Sequence, residues 1–328
     1  MINKLTSIII NTRNGHQTIN RAIRSALDQS FNNIEIIVYD NASDPPINSV
    51  IEVVSNKLEI VRCNEALNLG EARNRAFTAS SGEYIVFLDD DDIMLPNKID
   101  ICIKAMKADS NVGMVYTNVY VYHQQAKRSY LEYNAEMPEG DIYNLLFKGN
   151  YILWQSTFFR RESMLGNEDP FPSKFNNVTD FSLYLKILRN WRVKYINIPL
   201  SIYILHGSNY SVNHNQAYEE LINLSNHSDF NDEEKKLLVN YAFVKKASKS
   251  IEMKERKKLL HLLLILPFTK AKIRLLIGYF ISFIIDIKRI RSLLIRMKKN
   301  KYSEICHIID SYEISSSHNN KLNLEGRN

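Results

Sequence analysis

Short apolar runs of strand length alternate with helical faces along the first third of the chain. LTSIII at 5–10 is one such run, and Ile19, Ala22, Ile23, Ala26 and Leu27 follow at helical spacing behind Thr18, a good N-cap residue. IEIIVY at 34–39 predicts a second strand. It empties into Asp40-Asn41-Ala42-Ser43-Asp44-Pro45-Pro46, a loop by composition. The pattern then predicts a helical stretch near 47–55, a short strand near 58–62, a helix over 70–79 and a strand at YIVFL, 84–88. Pro96 can open the next helix, which carries Ile99, Ile103 and Met106 along one face. Strands alternating with helices predict an α/β fold, a mostly parallel sheet with helices on both faces. In such sheets ligands bind beyond the carboxyl ends of the strands.

The second third is mixed. VYTNVYVYH (115–123) reads as strand, DIYNLLF (141–147) as helix, and TFFRRE (157–162) and TDFSLYLKILR (179–189) follow, the latter helical. Strands are predicted near 192–197 and 201–205, and from 232 onward the pattern is helical. This divides the chain into a main unit over 1–230, with halves at 1–120 and 121–230, and a helical extension over 231–328.

Charge follows the same division. Residues 1–231 hold 21 Lys/Arg against 26 Asp/Glu, a net −5, whereas residues 232–328 hold 21 against 10, a net +11. The two parts are therefore expected to do different jobs. Within the extension, the apolar run Leu275–Ile285 is about 11 residues, short of the roughly 20 that a spanning helix requires. Lys270, Lys272 and Arg274 precede that run, and Lys288, Arg289 and Arg291 follow it. Basic flanks of this kind suit helices lying in an anionic membrane interface. Packing on the main unit or formation of a homo-oligomer would use the same faces, and nucleic acid is not expected as a partner. The composition, 45% hydrophobic and 24% charged over 328 residues, is that of a chain able to bury a sizeable core. Three scattered cysteines point to a reducing compartment and away from disulfides or zinc. The start, MINKLTSIII, lacks the pattern of a secretory signal, so none is expected.

The chemistry concentrates in FLDDDDIMLP (87–96). Four adjacent carboxylates at a strand end repel one another unless a cation sits among them, and a hard divalent ion, Mn²⁺ or Mg²⁺, is the natural candidate. The alternative is a solvated acidic turn whose last Asp caps the helix entered at Pro96. Met94 and Asp100, at the positions where a calcium loop of EF-hand type has Gly and Glu, argue against that reading. Asp40 ends the second strand and Asp89–Asp92 the fourth, so both can face one cleft. Among isolated residues, Asp180 can serve as a base or merely complement a helix dipole. Arg73 and His206 can contact a ligand or be ordinary surface and packing residues. Trp154 can stack on an acceptor or fill the core.

Taken in order, IIINTRN (8–14), VYDNAS (38–43), NLGEARNRAF (68–77) and FLDDDDIMLP resemble the nucleotide-diphospho-sugar domain of family 2 glycosyltransferases. The looser matches FFRRE (158–162), VTDFSLYLKILRN (178–190) and PLSIYILHGSNYS (199–211) follow in the family's order, so the resemblance covers about residues 5–212. It implies a GT-A fold and inverting, metal-dependent transfer of a sugar from a nucleotide-diphospho-sugar, with UDP-sugar the first candidate. It places Thr12, Asn14, Asp40, Asn68, Gly70 and Arg73 around the donor with Asp89, Asp90 and His206. Asp91 and Asp89 become metal ligands and Asp180 the catalytic base; Trp154 is taken as an acceptor contact from its place before Gln155 and Ser156 alone. Four positions depart from the family's usual residues: Asn11 and Arg13 where P-T-Y-N would have Pro and Tyr, Thr179 for an acid, and Ile204 for an Arg. The implied acceptor is a saccharide or lipid-linked oligosaccharide of cell-surface polysaccharide synthesis, handled in the cytoplasm at the inner face of the membrane. A sugar nucleotidyltransferase would want a Gly-rich loop after the first strand, where Gly15 stands alone. A non-catalytic sugar-nucleotide-binding or membrane assembly protein would need no base.

Overall fold

The apolar runs of the first third become a twisted sheet. In the computed structural model, which describes residues 4–166, 169–207, 215–252, 262–263, 272–273, 275–277, 298 and 300–313, the strands are β1 (Thr6–Thr12), β2 (Ile34–Asn41), β3 (Leu58–Cys63) and β4 (Tyr84–Asp89). They continue through β5 (Ile93–Met94), β6 (Val112–His123), β7 (Arg128–Leu131), β8 (Thr157–Arg160) and β9 (Arg192–Leu205). The order across the sheet is β3-β2-β1-β4-β8-β6-β9-β5, with β7 paired to β6. β1 to β4 run parallel to one another. β8 is antiparallel to both its neighbours, and β6 and β9 are again parallel. The sheet is thus mixed at its centre, a consequence of β8 being entered from the second half of the chain.

Period-two alternation sends neighbouring side chains to opposite faces. Ile8 and Ile10 pack with Ile19 and Ile23 of α1 (Ile19–Leu27) and with Ile99 and Met106 of α3 (Lys98–Ala108). Ile9 and Phe87 point the other way. There they meet Ala72 and Ala76 of α2 (Leu69–Ala79), Phe181 and Tyr184 of α6 (Thr179–Leu188), and Tyr241 of α8 (Asp232–Glu252). Between these lie the short α4 (Tyr143–Leu146) and α5 (Arg161–Met164), and α7 (Asn215–Ser225), which packs alongside α8.

Two sequence expectations are corrected. The helix expected near 47–55 is a single 3-10 turn, Ile47–Ser49. Asn20 of α1 takes up the backbone beyond it, donating to the Val50 carbonyl (2.7 Å) and accepting from the Glu52 amide (3.0 Å), so those groups are not available to a helix. The strands expected at 192–197 and 201–205 form one strand, β9, whose pairing with β6 shifts register around Asn118.

The C-terminal extension reaches back onto the sheet. α9 (Tyr302–Glu313) buries Ile305, Ile309 and Tyr312 against Ile93, Tyr122, Ile202 and Ile204. Tyr312 donates to Asp28 (2.8 Å) and its carbonyl accepts from Arg24 (2.9 Å). Among the described residues no helix is long and apolar enough to cross a membrane. Most of 259–297, which carries the membrane-interface expectation, lies outside the described residues.

Candidate active site

The parallel strands β1, β2 and β4 end side by side, because Thr12 pairs with Asp40 and Asn11 with Asp89 in the register. The loops that leave these ends are tied together. Asn14 has a positive φ of 62°, in the left-handed region that Asn tolerates better than most residues. It donates its backbone N–H to Ser43 Oγ (2.8 Å) and accepts the Asp44 amide on Oδ1 (2.9 Å). Asp40 is 1% exposed and committed locally: Oδ1 accepts from the Ser43 amide (2.9 Å), and Oδ2 accepts from the Ile47 amide (3.1 Å) and from Arg62. Burial alone would raise its pKa, but hydrogen bonds from Ser43 and Ile47 and the Arg62 guanidinium outweigh it and hold the carboxyl below its usual range.

The four aspartates do not act as one patch. Asp90 accepts the Thr12 hydroxyl. Gly15 lies over that pair, where a Cβ would fall 2.0 Å from Asp90 Oδ2 and 2.6 Å from Thr12 Oγ1. Asp89, Asp91 and Asp92 instead converge, with a ligand oxygen from each lying within 4.8 Å of the others. Asp91 Oδ2 is 2.8 Å from His206 Nε2, and its backbone carbonyl accepts from Arg21 (2.8 Å). Asp92 is fully buried. Its Oδ1 accepts the Ile204 amide (2.8 Å), while Oδ2 is buried without a hydrogen-bond partner. Burial and the neighbouring Asp91 and Asp89 charges raise its pKa well above the ordinary value. Burial likewise raises Asp89 to about 6 against the opposing pull of Arg73, although its side chain stays 35% exposed, and raises Asp90 to about 7. Three converging carboxylates with an orphaned buried oxygen fit a hard divalent cation, which these residues could hold. Asp92 therefore joins Asp89 and Asp91 as a candidate ligand, a role the sequence reading did not give it, and it does not cap the following helix.

Arg73 joins this cluster to the second half of the chain. It is 6% exposed, lies 3.6 Å from Asp89 Oδ1 and donates to Thr179 Oγ1 (2.6 Å). Thr179, which departs from the family's usual acid, is thus the residue that receives the guanidinium. Asp180 follows it at the start of α6. Its Oδ2 accepts from Asn150 Nδ2 (3.4 Å). Burial raises the Asp180 pKa, and the Arg73 charge limits the rise. The Asp180 carboxyl thus lies in the field of both the Arg73 cation and Asp89.

The remaining predicted residues are positioned as follows. Gly70 packs so closely on the 170–176 segment that a Cβ would fall 2.0 Å from the Pro172 carbonyl oxygen, and its amide donates to Phe175 (2.9 Å). Asn68 precedes α2 and accepts from Asn176 (3.1 Å). Both residues hold the two halves of the site together. Trp154 is corrected: it offers no open face to an acceptor. It is 6% exposed, with the Arg73 guanidinium 4.1 Å from its ring centroid and Phe87, Phe159 and Phe171 around it. Arg189, which ends the TDFSLYLKILR run, donates to Tyr143 Oη (2.6 Å) and pairs with Glu234 (3.3 Å) beside a cavity of about 430 Å³. Gln155 was missed: its amide donates to Asp89 (3.1 Å), and a lone Gln beside a Trp carries no sequence signal of that role.

The model for glycosyl transferase family 2 matches residues 7–184. Two relatives from Escherichia coli are named UDP-Glc:alpha-D-GlcNAc-diphosphoundecaprenol beta-1,3-glucosyltransferases. WfgD is 29% identical over 59% of this chain and 73% of its own length, and WfaP is 28% identical over 68% and 85%. Among solved structures, S. aureus TarS 1-349 in complex with UDP-GlcNAc superposes with a TM-score of 0.57 at 14% identity, covering 79% of each chain. At that identity the superposition establishes the shared fold.

Proposed function

The chain belongs to glycosyl transferase family 2, and on that footing we propose that it is a metal-dependent, inverting enzyme. It would transfer a sugar from a UDP-sugar to a saccharide or lipid-linked oligosaccharide in cell-surface polysaccharide synthesis. One observation carries the reading: the Asp89–Asp91–Asp92 cluster and the Asp180 carboxyl are joined by Arg73, which touches Asp89 and the residue preceding Asp180. One group can neutralise a leaving diphosphate and the other can take a proton. The acceptor oxygen forms its bond to the anomeric carbon from the face opposite the departing nucleoside diphosphate. The C–O bond to that diphosphate breaks, and Asp180 receives the hydroxyl proton. Help of this kind is worth about 10²–10⁴ in rate. Asp89, Asp91 and Asp92 would hold Mn²⁺ or Mg²⁺, which supplies charge neutralisation to the diphosphate when bound. Thr12, Asn14, Asp40, Asp90 and His206 lie in the loops and carboxylate cluster where the nucleotide is assigned. Asp40 would there act chiefly by shaping the loop that its carboxyl organises.

The names of the two E. coli relatives support UDP as the nucleotide and a diphosphate-lipid acceptor, and the UDP-GlcNAc in the TarS complex supports the same donor class. Catalysis is assigned to residues 1–230, with the basic extension serving attachment at the inner face of the membrane. Calorimetric titration of UDP, GDP and dTDP with and without Mn²⁺ tests the donor site. UDP should bind with metal and lose that dependence in Asp91→Ala, and metal-independent binding would overturn the ligand assignment. The anomeric configuration of the product, read by NMR, tests inversion.

A further inference from the structure

Asp180 has a neighbour that this reaction scheme leaves unused. Asn150, which donates to Asp180, also donates its backbone N–H to Tyr241 Oη of α8 (3.0 Å). The Tyr241 ring packs against Phe181, the residue after Asp180, with centroids 5.5 Å apart. One turn further along α8, Lys245 lies over the Tyr241 ring, its Nζ 5.2 Å from the centroid. Residues four apart share a helix face, so Lys245 and Tyr241 present one surface beside the base. Lys245 is exposed and forms no ion pair among the described residues, yet its charge reaches Asp180 and favours the ionised carboxylate. Arg73, the other cation acting on Asp180, is buried and already engaged by Asp89 and Thr179. An anion arriving at the base with the acceptor therefore meets Lys245.

The acceptor hydroxyl must reach Asp180 to give up its proton. The anomeric carbon of the same sugar ring, which carries the link to the rest of the acceptor, is then no more than one ring away. If that link is a diphosphate, its negative charge enters the field of an ionised Asp180 and is repelled unless a cation compensates. The bare, exposed ammonium of Lys245 is suited to that task, since Lys acts on phosphate as a mobile point charge.

We propose that Lys245 is a specificity-determining residue that receives the diphosphate joining the acceptor sugar to its lipid carrier. The proposal rests on the lipid-linked acceptor inferred above. It is tested on the full chain with two acceptors of equal tail length, a GlcNAc-diphosphate alkyl lipid and a neutral alkyl GlcNAc glycoside. Binding of each is measured by calorimetry alongside KM and kcat. The wild type should prefer the diphosphate acceptor in binding and in KM. Lys245→Ala should reduce that preference about tenfold, as expected for one charge-assisted contact, and Lys245→Arg should restore most of it. A wild type with no preference, or a Lys245→Ala enzyme that keeps it, overturns the proposal. Selective binding without any sugar transfer would instead sink the transferase reading and leave Lys245 as an anion-binding residue.

Discussion

At the scale of single residues, adjacent aspartates have been given different neighbours. Asp180→Asn should lower kcat by about 10²–10⁴ while UDP still binds, as the loss of a base that sits outside the donor contacts requires; near-normal turnover would remove Asp180 from that role. Asp92→Asn keeps an oxygen for the Ile204 amide but removes the charge from the orphaned side, so Mn²⁺ binding should weaken at least about tenfold while the fold persists. Metal titration followed by thermal melting separates the two effects. Much of this was legible: Asp89, Asp91, Asp180 and Arg73 are all drawn to one locus, as the ordered motifs implied. The division of labour among the four aspartates was not, because it depends on a turn in which the Asp92 amide bonds the Asp89 carbonyl (3.1 Å). That turn sends Asp90 to Thr12 and Asp92 inward, and consecutive identical letters cannot encode it. Trp154 misled for a related reason. An indole signals a large apolar surface in either role, and only the Arg73 guanidinium over its face decides between them.

At the scale of elements, strands and helices with strong periodicity were readable, and the failures came where side chains captured backbone groups. β1, β2, β4 and α6 fall close to where their apolar patterns place them. The expected helix near 47–55 fails because Asn20, on another element, satisfies the backbone there, a long-range competition that local propensity cannot register. Close approach is equally invisible in sequence. Gly70→Ala must push α2 away from the backbone at Pro172, and it should destabilise the protein by about 2 kcal/mol. An unaltered melting temperature would show that this contact gives way freely. The packing of α9 is a further element-level result. Tyr312→Ala removes a side chain 9% exposed from the face against Ile93 and Ile202 and should cost about 3 kcal/mol.

At the scale of the molecule, protons would compete with the proposed divalent ion for Asp89, and Asp90 titrates beside it on Thr12. Asp89 and Asp90 carry pKa values raised from 3.8 to about 6 and about 7, so the folded state binds protons more tightly than the unfolded chain does. Without metal, their contribution to stability therefore falls as pH rises from near 4 toward about 7 and is constant above that. A bound cation favours the ionised forms. The gain in melting temperature on adding Mn²⁺ should consequently grow between about pH 5 and pH 7.5, as scanning calorimetry in matched buffers can establish. A gain independent of pH would mean that the ion binds elsewhere. The basic extension shows what composition can and cannot convey: its charge set it apart from the rest, but nothing in that charge foretold that α9 would return to the catalytic sheet. Arg21 makes that return matter, since one guanidinium reaches both the Asp91 carbonyl and the Glu313 carboxylate (2.8 Å each). Its partners are separated by more than two thirds of the chain, so the acidic loop acquires its outer support only after Glu313 has left the ribosome. A chain ending before Glu313 would keep the Arg21 contact to the Asp91 carbonyl and lack the ion pair that ties the same guanidinium to α9.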